Sequence, residues 1–255
     1  MKFLHRKCST KLFVACCALA LAALAVPSRA HAEFLGNLLE IQVSAGTNTG
    51  SFILNVSEPG NPFSYQLTEP VDIFSTQNPG TLLATIDGLS LFYDGDPQII
   101  LNFALTAGNA NTNFSISSAL VAFPSLTNPQ ASATAGITVT DNGTTGGSAT
   151  GSFPGIKSYE ASYNGGTVFA DLVSPVVAPP GSSGIGSERF PVPVGSTIAI
   201  PGSVSSMKAE FDFILTANDS ASGTSNFTII VPEPSSIFLA MFGGVALLFA
   251  ARRRK

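Results

Sequence analysis

The sequence between residues 33 and 230 predicts an all-β fold, a single antiparallel β-sandwich of the jelly-roll or immunoglobulin-like type. Residues 99–106 and 207–216 place their large apolar side chains at every second position, which is the pattern of a half-buried strand. Short clusters of Gly, Pro, Asn and Asp separate such stretches and indicate turns. Nothing in this region sustains a helical period for three turns, so we expect no helix there.

Ten further segments have the composition of strands, being rich in β-branched and aromatic residues. In chain order the predicted strands are residues 39–44, 51–57, 81–86, 89–93, 99–106, 113–121, 135–140, 158–163, 167–173, 197–200, 207–216 and 226–231. The Pro- and Gly-rich stretch at 174–186 is the best alternative domain boundary. We interpret it as a connection within one domain, because the roughly 45 residues that follow are too few for an independent sheet.

One internal similarity stands out within the predicted strands. Residues 103–107 and 113–116 resemble residues 213–217 and 226–229, since each pair joins a Leu-Thr-Ala strand end to a second strand that begins with Asn-Phe. The pattern predicts a hairpin used twice. Chance similarity between short segments of biased composition is the alternative.

The first 32 residues have the order of a secretory signal peptide. Basic residues precede an apolar run at 12–26, and the small residues Ala30 and Ala32 mark a cleavage site before Glu33. We therefore expect the Sec translocon to export the chain and signal peptidase to remove residues 1–32.

Removal of this segment would leave a chain without thiol or imidazole groups. All three cysteines and both histidines lie within it. Nucleophilic catalysis with a histidine base, and zinc sites built from imidazole or thiolate, are therefore excluded for the mature chain. A glycosidase that uses two carboxylates needs neither group, but nothing in the sequence selects the pair.

Residues 33–230 are strongly acidic. They contain fifteen acidic and three basic residues, a formal charge of −12 that the whole-chain value of −4 conceals. An acidic surface repels phosphate backbones, so no nucleic-acid partner is expected.

The best candidate for a metal site is the pair Asp94 and Asp96. Two carboxylates that flank a glycine can place oxygens around a calcium ion, and Asp87 lies nearby in the sequence. The spacing lacks the further ligands of a recognised calcium loop, and Asp-Gly-Asp-Pro is also an ordinary turn. No other cofactor is expected.

Residues 231–255 form a distinct C-terminal segment. It opens with a Pro-Glu-Pro triplet and two serines, continues with an apolar run at 237–251 and closes with four cations. As a helix the run would rise about 22 Å, short of a hydrocarbon core of about 30 Å, so we predict a marginal transmembrane helix. The terminal cations favour the cytoplasmic side, which places the preceding chain outside. Pro232 and Pro234 exclude the triplet from the helix, so it is expected to be extended and accessible.

The order of these residues carries a resemblance to a known family. The segment begins with Val231, Pro232, Glu233, Pro234 and Ser235 and ends with Arg252, Arg253, Arg254 and Lys255. This order resembles the PEP-CTERM sorting signal of exopolysaccharide-associated bacterial proteins. The resemblance implies that an exosortase-type membrane enzyme recognises the first five residues, while the basic cluster sets the topology. A plain single-pass anchor is the alternative.

The leading hypothesis is a non-enzymatic exported protein that passes transiently through the inner membrane to the cell envelope or extracellular matrix. An adhesin-like module that binds exopolysaccharide, with or without calcium, is the alternative. A carboxylate-dependent glycosidase is the least favoured.

Overall fold

The computed structural model describes residues 33–56, 62–94 and 97–230, which form two antiparallel β-sheets packed as a sandwich. The predicted all-β sandwich is confirmed. Within these ranges no helix has the length and apolar character needed to cross a bilayer. The predicted signal peptide (1–32) and transmembrane helix (237–251) lie outside the described residues, so the domain limits 1–32, 33–230 and 231–255 stay predictions.

In the described ranges, sixteen strands make up the two sheets. In chain order they are β1 (Glu33–Ala45), β2 (Asn48–Leu54), β3 (Phe63–Gln66), β4 (Val71–Phe74), β5 (Leu82–Asp94), β6 (Gln98–Ala107), β7 (Thr112–Thr127), β8 (Gln130–Thr140), β9 (Gly147–Gly151), β10 (Tyr159–Tyr163), β11 (Thr167–Leu172), β12 (Val176–Ala178), β13 (Ser183–Phe190), β14 (Ile198–Ala199), β15 (Ser203–Leu215) and β16 (Ser220–Ile230). Sheet A has the order β11-β10-β15-β7-β1-β2, and β9 joins β15 to β12. Sheet B has the order β13-β8-β16-β6-β5-β3, with β14 beside β8 and β4 beside β5.

The alternating stretches became the central strands, as their pattern predicts. Along β6 every second residue is buried, and Phe103 from this strand crosses the interior to contact sheet A. Its ring meets Phe211 edge-on at 4.9 Å between centroids and stacks on Phe213 at 5.9 Å. The two sheets are therefore held together by interdigitating aromatic side chains.

The repeated sequence pattern is not a hairpin, so that interpretation was wrong. Strands β6 and β7 lie in different sheets, and so do β15 and β16. Each connection crosses the sandwich, and the two pairs interlock because β6 pairs with β16 while β7 pairs with β15. The two crossings are bonded to each other: Ala107 N donates to Asp219 O at 2.9 Å, and Asn218 N donates to Gly108 O at 2.8 Å.

The interlocked strands give the sandwich two distinct ends. We call the end with these crossings the far end. At the opposite end β16 stops at Ile230, which pairs with Gln130 at the start of β8. We call this the tail end, because the chain leaves it towards residues 231–255.

Candidate functional site

A groove of about 380 Å³ lies on the outer face of sheet A. Two irregularities in the sheet adjoin it: the pairing of β1 with β7 shifts between Leu35 and Leu39, and that of β15 with β7 shifts between Met207 and Glu210. The lining residues are Leu35, Asn37, Glu40, Ser117, Ser118, Ala119, Leu120, Glu160, Ser162, Gly165, Gly166, Lys208 and Glu210. Bulges re-aim side chains and interrupt pairing, and they are frequent next to functional sites.

Side-chain hydroxyl groups satisfy the backbone groups that these bulges leave without a ladder partner. The Tyr93 hydroxyl reaches across from sheet B, donates to Leu38 O and accepts a hydrogen bond from Ala119 N at 3.0 Å. Ser118 Oγ accepts a hydrogen bond from Ala209 N at 3.0 Å. The floor of the groove is therefore fixed by buried hydrogen bonds.

A row of carboxylates crosses the groove and ends at Asp171, which lies beside the groove lining. The strand registers place Glu40 opposite Ser117, Ser117 opposite Glu210, Glu210 opposite Glu160, and Glu160 opposite Asp171. Residues directly opposite each other share one face of a sheet, at about 5 Å between Cβ atoms. Four acids from four strands thus line up on one surface.

The charges in this row are only partly compensated. Lys208 Nζ forms an ion pair with Glu210 Oε1 at 2.8 Å. Burial raises the pKa of Glu160, and the charges of Asp171 and Glu210 raise it further. Burial also raises the pKa of Asp171, although a hydrogen bond with Glu160 opposes this. Asp171 Oδ1 is buried and accepts no hydrogen bond from an N–H or O–H group of the described residues.

This arrangement suits hydrogen bonding to a hydroxylated ligand. Carboxylates accept hydrogen bonds from hydroxyl groups, and the serines and Asn37 add neutral donors and acceptors. Within the described part of the chain, no three His, Cys, Asp or Glu side chains are grouped so that they could hold a metal. The groove is therefore lined mainly by polar side chains.

The sequence-predicted site residues lie elsewhere. Glu33 is exposed at the start of β1, and Asp94 is the last residue of β5. Asp87 belongs to the same strand, so about 20 Å of extended chain separates it from Asp94. Its carboxylate accepts a hydrogen bond from Thr106 Oγ1 at 2.7 Å, and it is no partner for a calcium ion at Asp94.

The remaining predicted residues lie outside the described ranges. They are Ala30, Ala32, Asp96, Val231, Pro232, Glu233, Pro234, Ser235, Arg252, Arg253, Arg254 and Lys255.

Sequence reasoning missed the carboxylate row altogether. Glu160 and Asp171 follow no motif, and Glu210 occupies a polar position of the alternating stretch 207–216. Alternation did place Glu210 on the outward face, but the neighbours of that face depend on which strands pair and in which register.

The fold and its C-terminal segment define a class, an exported β-sandwich that carries a sorting signal. Residues 231–255 match the PEP-CTERM protein-sorting motif. The chain thus carries this motif immediately after the last strand of the sandwich, and the motif indicates sorting by an exosortase.

Comparisons with other proteins add no functional information. No curated protein matches the chain. A solved structure of infectious bursal disease virus, Gt strain, aligns with 89% of this chain and 74% of its own at 12% identity, with a TM-score of 0.13. A mutant VP2 protein of the same virus aligns with 88% and 69% at 12% identity, with a TM-score of 0.11. These scores are too low to support a common fold.

Proposed function

We propose that this chain is a non-enzymatic structural protein of the bacterial cell envelope or extracellular polysaccharide matrix. The observation that carries the proposal is the PEP-CTERM motif at residues 231–255, which begins one residue after β16 ends at Ile230. A complete sandwich is thereby joined directly to a sorting signal. Signal peptidase and the Sec translocon would act on residues 1–32, and an exosortase-type enzyme would act near the Pro-Glu-Pro triplet.

The test replaces Pro232 and Pro234 by alanine in the producing bacterium. We expect the unmodified chain to reach the envelope or medium without its tail, and the double variant to stay in the inner membrane at its full C-terminal mass. A matched control replaces Pro179 and Pro180, two exposed prolines in the loop between β12 and β13, and should be processed normally. Normal tail removal in the Pro232 and Pro234 variant would refute the sorting mechanism.

The groove on sheet A favours a second candidate function, binding of the matrix polysaccharide. The carboxylate row would accept hydrogen bonds from sugar hydroxyls, and its charge would disfavour acidic sugars. A neutral polysaccharide is therefore the expected ligand.

Calorimetric titration of purified exopolysaccharide tests this candidate. Replacing Glu160 and Glu210 by glutamine should weaken binding about tenfold or more, since hydrogen bonds to charged groups contribute about 1.5–3 kcal/mol each. A double variant of Glu33 and Glu69, both exposed outside the groove, makes the same charge change and should bind normally. Equal weakening in both double variants would show that binding depends on net charge and not on the carboxylates of the groove.

Two further measurements address calcium and catalysis. Loss of binding on chelation, reproduced by replacing Asp94 and Asp96 with asparagine, would support a calcium-dependent module. Release of reducing sugar ends, abolished by Glu160→Gln, would replace the non-enzymatic proposal with a glycosidase.

A further inference from the structure

The loop between β13 and β14 exposes an unusual amount of apolar surface. Val192 is 73% exposed and Val194 is 81% exposed, and Ile198 follows at 43%. From Phe190 to Met207 the sequence contains no charged residue, although residues 33–230 carry a formal charge of −12. An exposed apolar patch of this kind marks a contact surface.

Hydrogen bonds hold the segment that follows this loop and β14 at the tail end of the sandwich. Ile200 N donates to Pro129 O at 2.8 Å, and Asn128 N donates to Gly202 O at 2.7 Å. Ile200 itself is buried. The C-terminal side of the loop is therefore fixed to the turn between β7 and β8, and within the loop Thr197 Oγ1 donates a hydrogen bond to Gln130 Oε1 at the start of β8.

The same end of the sandwich releases the chain towards its C-terminal segment. Ile198 pairs with Ala131, and Ile230 pairs with the adjacent Gln130. The loop between β13 and β14 and the end of β16 are thus neighbours at the start of β8.

The chain beyond Ile230 sets the distance to the membrane. Only residues 231–236 separate β16 from the apolar run at 237–251. Six residues extend at most about 20 Å, whereas the eleven residues of β16 measure about 37 Å. If the run is anchored in a bilayer, the tail end must lie close to the lipid, while the far end can point away from it.

We propose that the tail end of the sandwich rests on the lipid bilayer in the membrane-anchored precursor, with Val192 and Val194 inserted among the lipid headgroups. This inference depends on the proposed function, because it requires the C-terminal run to be the anchor. The occupant is a lipid surface, since the loop lies within reach of the anchor and lacks acids that anionic headgroups would repel. Insertion would hold the Pro-Glu-Pro triplet at the membrane surface, where a membrane enzyme can reach it.

Fluorescence quenching tests the proposal, because the chain contains no tryptophan. The Val192→Trp variant of the full-length chain is reconstituted into phosphatidylethanolamine and phosphatidylglycerol vesicles with brominated acyl chains. The control is Val177→Trp, which replaces a valine that is 69% exposed and lies at the far end, opposite Ser148. Both positions are exposed, so both variants are expected to fold.

We expect bromolipids to quench the Val192→Trp emission about twofold or more relative to the control, since tryptophan favours the membrane interface. Flotation of the chain with vesicles is measured in parallel. If the chain floats but both tryptophans are quenched equally, or neither is, the loop does not insert and this inference alone is overturned. If the chain does not float, both the anchor and this inference fail.

Discussion

The hydroxyl group of Tyr93 provides the sharpest test of how the bulged sheet is stabilised. Its ring packs between Phe34 and Phe63, at 5.1 and 6.2 Å between centroids, and phenylalanine would keep these contacts. The hydroxyl group, and not the ring, forms the hydrogen bonds to Leu38 O and Ala119 N, which are backbone groups of the bulge between β1 and β7. Tyr93→Phe therefore removes two hydrogen bonds and little packing.

The expected loss of stability follows from the two buried backbone groups that the variant leaves without a partner. A buried backbone group without a partner costs about 1–3 kcal/mol, and a part is recovered because the buried hydroxyl is removed as well, so we expect about 2–3 kcal/mol. With a urea dependence of about 2–3 kcal/mol per molar, the unfolding midpoint should fall by about 1 M. The melting temperature should fall by about 5–10 °C.

Tyr159→Phe is the matched control. Tyr159 is also fully buried, but its hydroxyl and the neighbouring Ser225 hydroxyl lack a partner in hydrogen-bond geometry. Removing it should leave the free energy of unfolding unchanged or raise it by about 1 kcal/mol. Urea unfolding followed by circular dichroism gives both values. Equal losses for the two variants, or no loss for Tyr93→Phe, would refute the account of the bulge.

Three further predictions concern charge and packing. Glu160 and Asp171 have raised pKa values in the folded state, so the free energy of unfolding should decline as the pH rises above the ordinary pKa range of carboxyl groups. In urea titrations, the Glu160→Gln, Asp171→Asn double variant should show a smaller decline. Partial burial opposes ionisation of Glu188, but hydrogen bonds from Lys157 and Ser174 lower its pKa to about 2. The free energy of unfolding should therefore fall as the pH drops from about 4.5 towards 2. Glu188→Gln should cost about 1 kcal/mol at neutral pH and remove this fall. Gly223→Ala should cost more than about 2 kcal/mol in calorimetry, because a Cβ there would lie 2.2 Å from Phe103 Cζ.

Two controls cover these three predictions. Glu69→Gln changes an exposed carboxylate of the described chain and should leave both pH limbs intact. Gly88→Ala should be tolerated, because the nearest atom to its Cβ is 3.7 Å away. An unchanged acid limb in Glu188→Gln, or equal costs at Gly88 and Gly223, would contradict the reasoning.

The central strands could be predicted from the sequence because burial on one face imposes alternation. β6 and β15 were found within one to four residues at each end. Segments 81–86 and 89–93 are one strand, β5, and the bulge between Ile86 and Gly88 accounts for the break in their pattern. In β6 and β15 local sequence was sufficient, because one face of each strand is buried and the other is not.

Strands β9 and β13 could not be predicted, because clusters of glycine in a sequence indicate loops as readily as strands. The first half of β13 lies in the predicted connection at 174–186, yet a Cβ on Gly184 would stand 2.0 Å from Val177 O, so this glycine permits β12 to approach. Gly151 in β9 has the same role against Lys157 O, also at 2.0 Å. In both cases the glycine serves a close backbone contact that only the tertiary structure reveals.

The position of β16 connects the fold to the sorting signal. This last strand lies in the middle of sheet B and is paired with β6 on one side and β8 on the other. Sheet B is therefore incomplete until β16 has joined it, and its pairing with β6 closes a loop of more than one hundred residues, which carries an entropic cost. Since the motif begins at residue 231, a chain that has completed its sandwich has no spare length before the signal. The same strand, β16, thus completes sheet B and ends at the residue that precedes the signal.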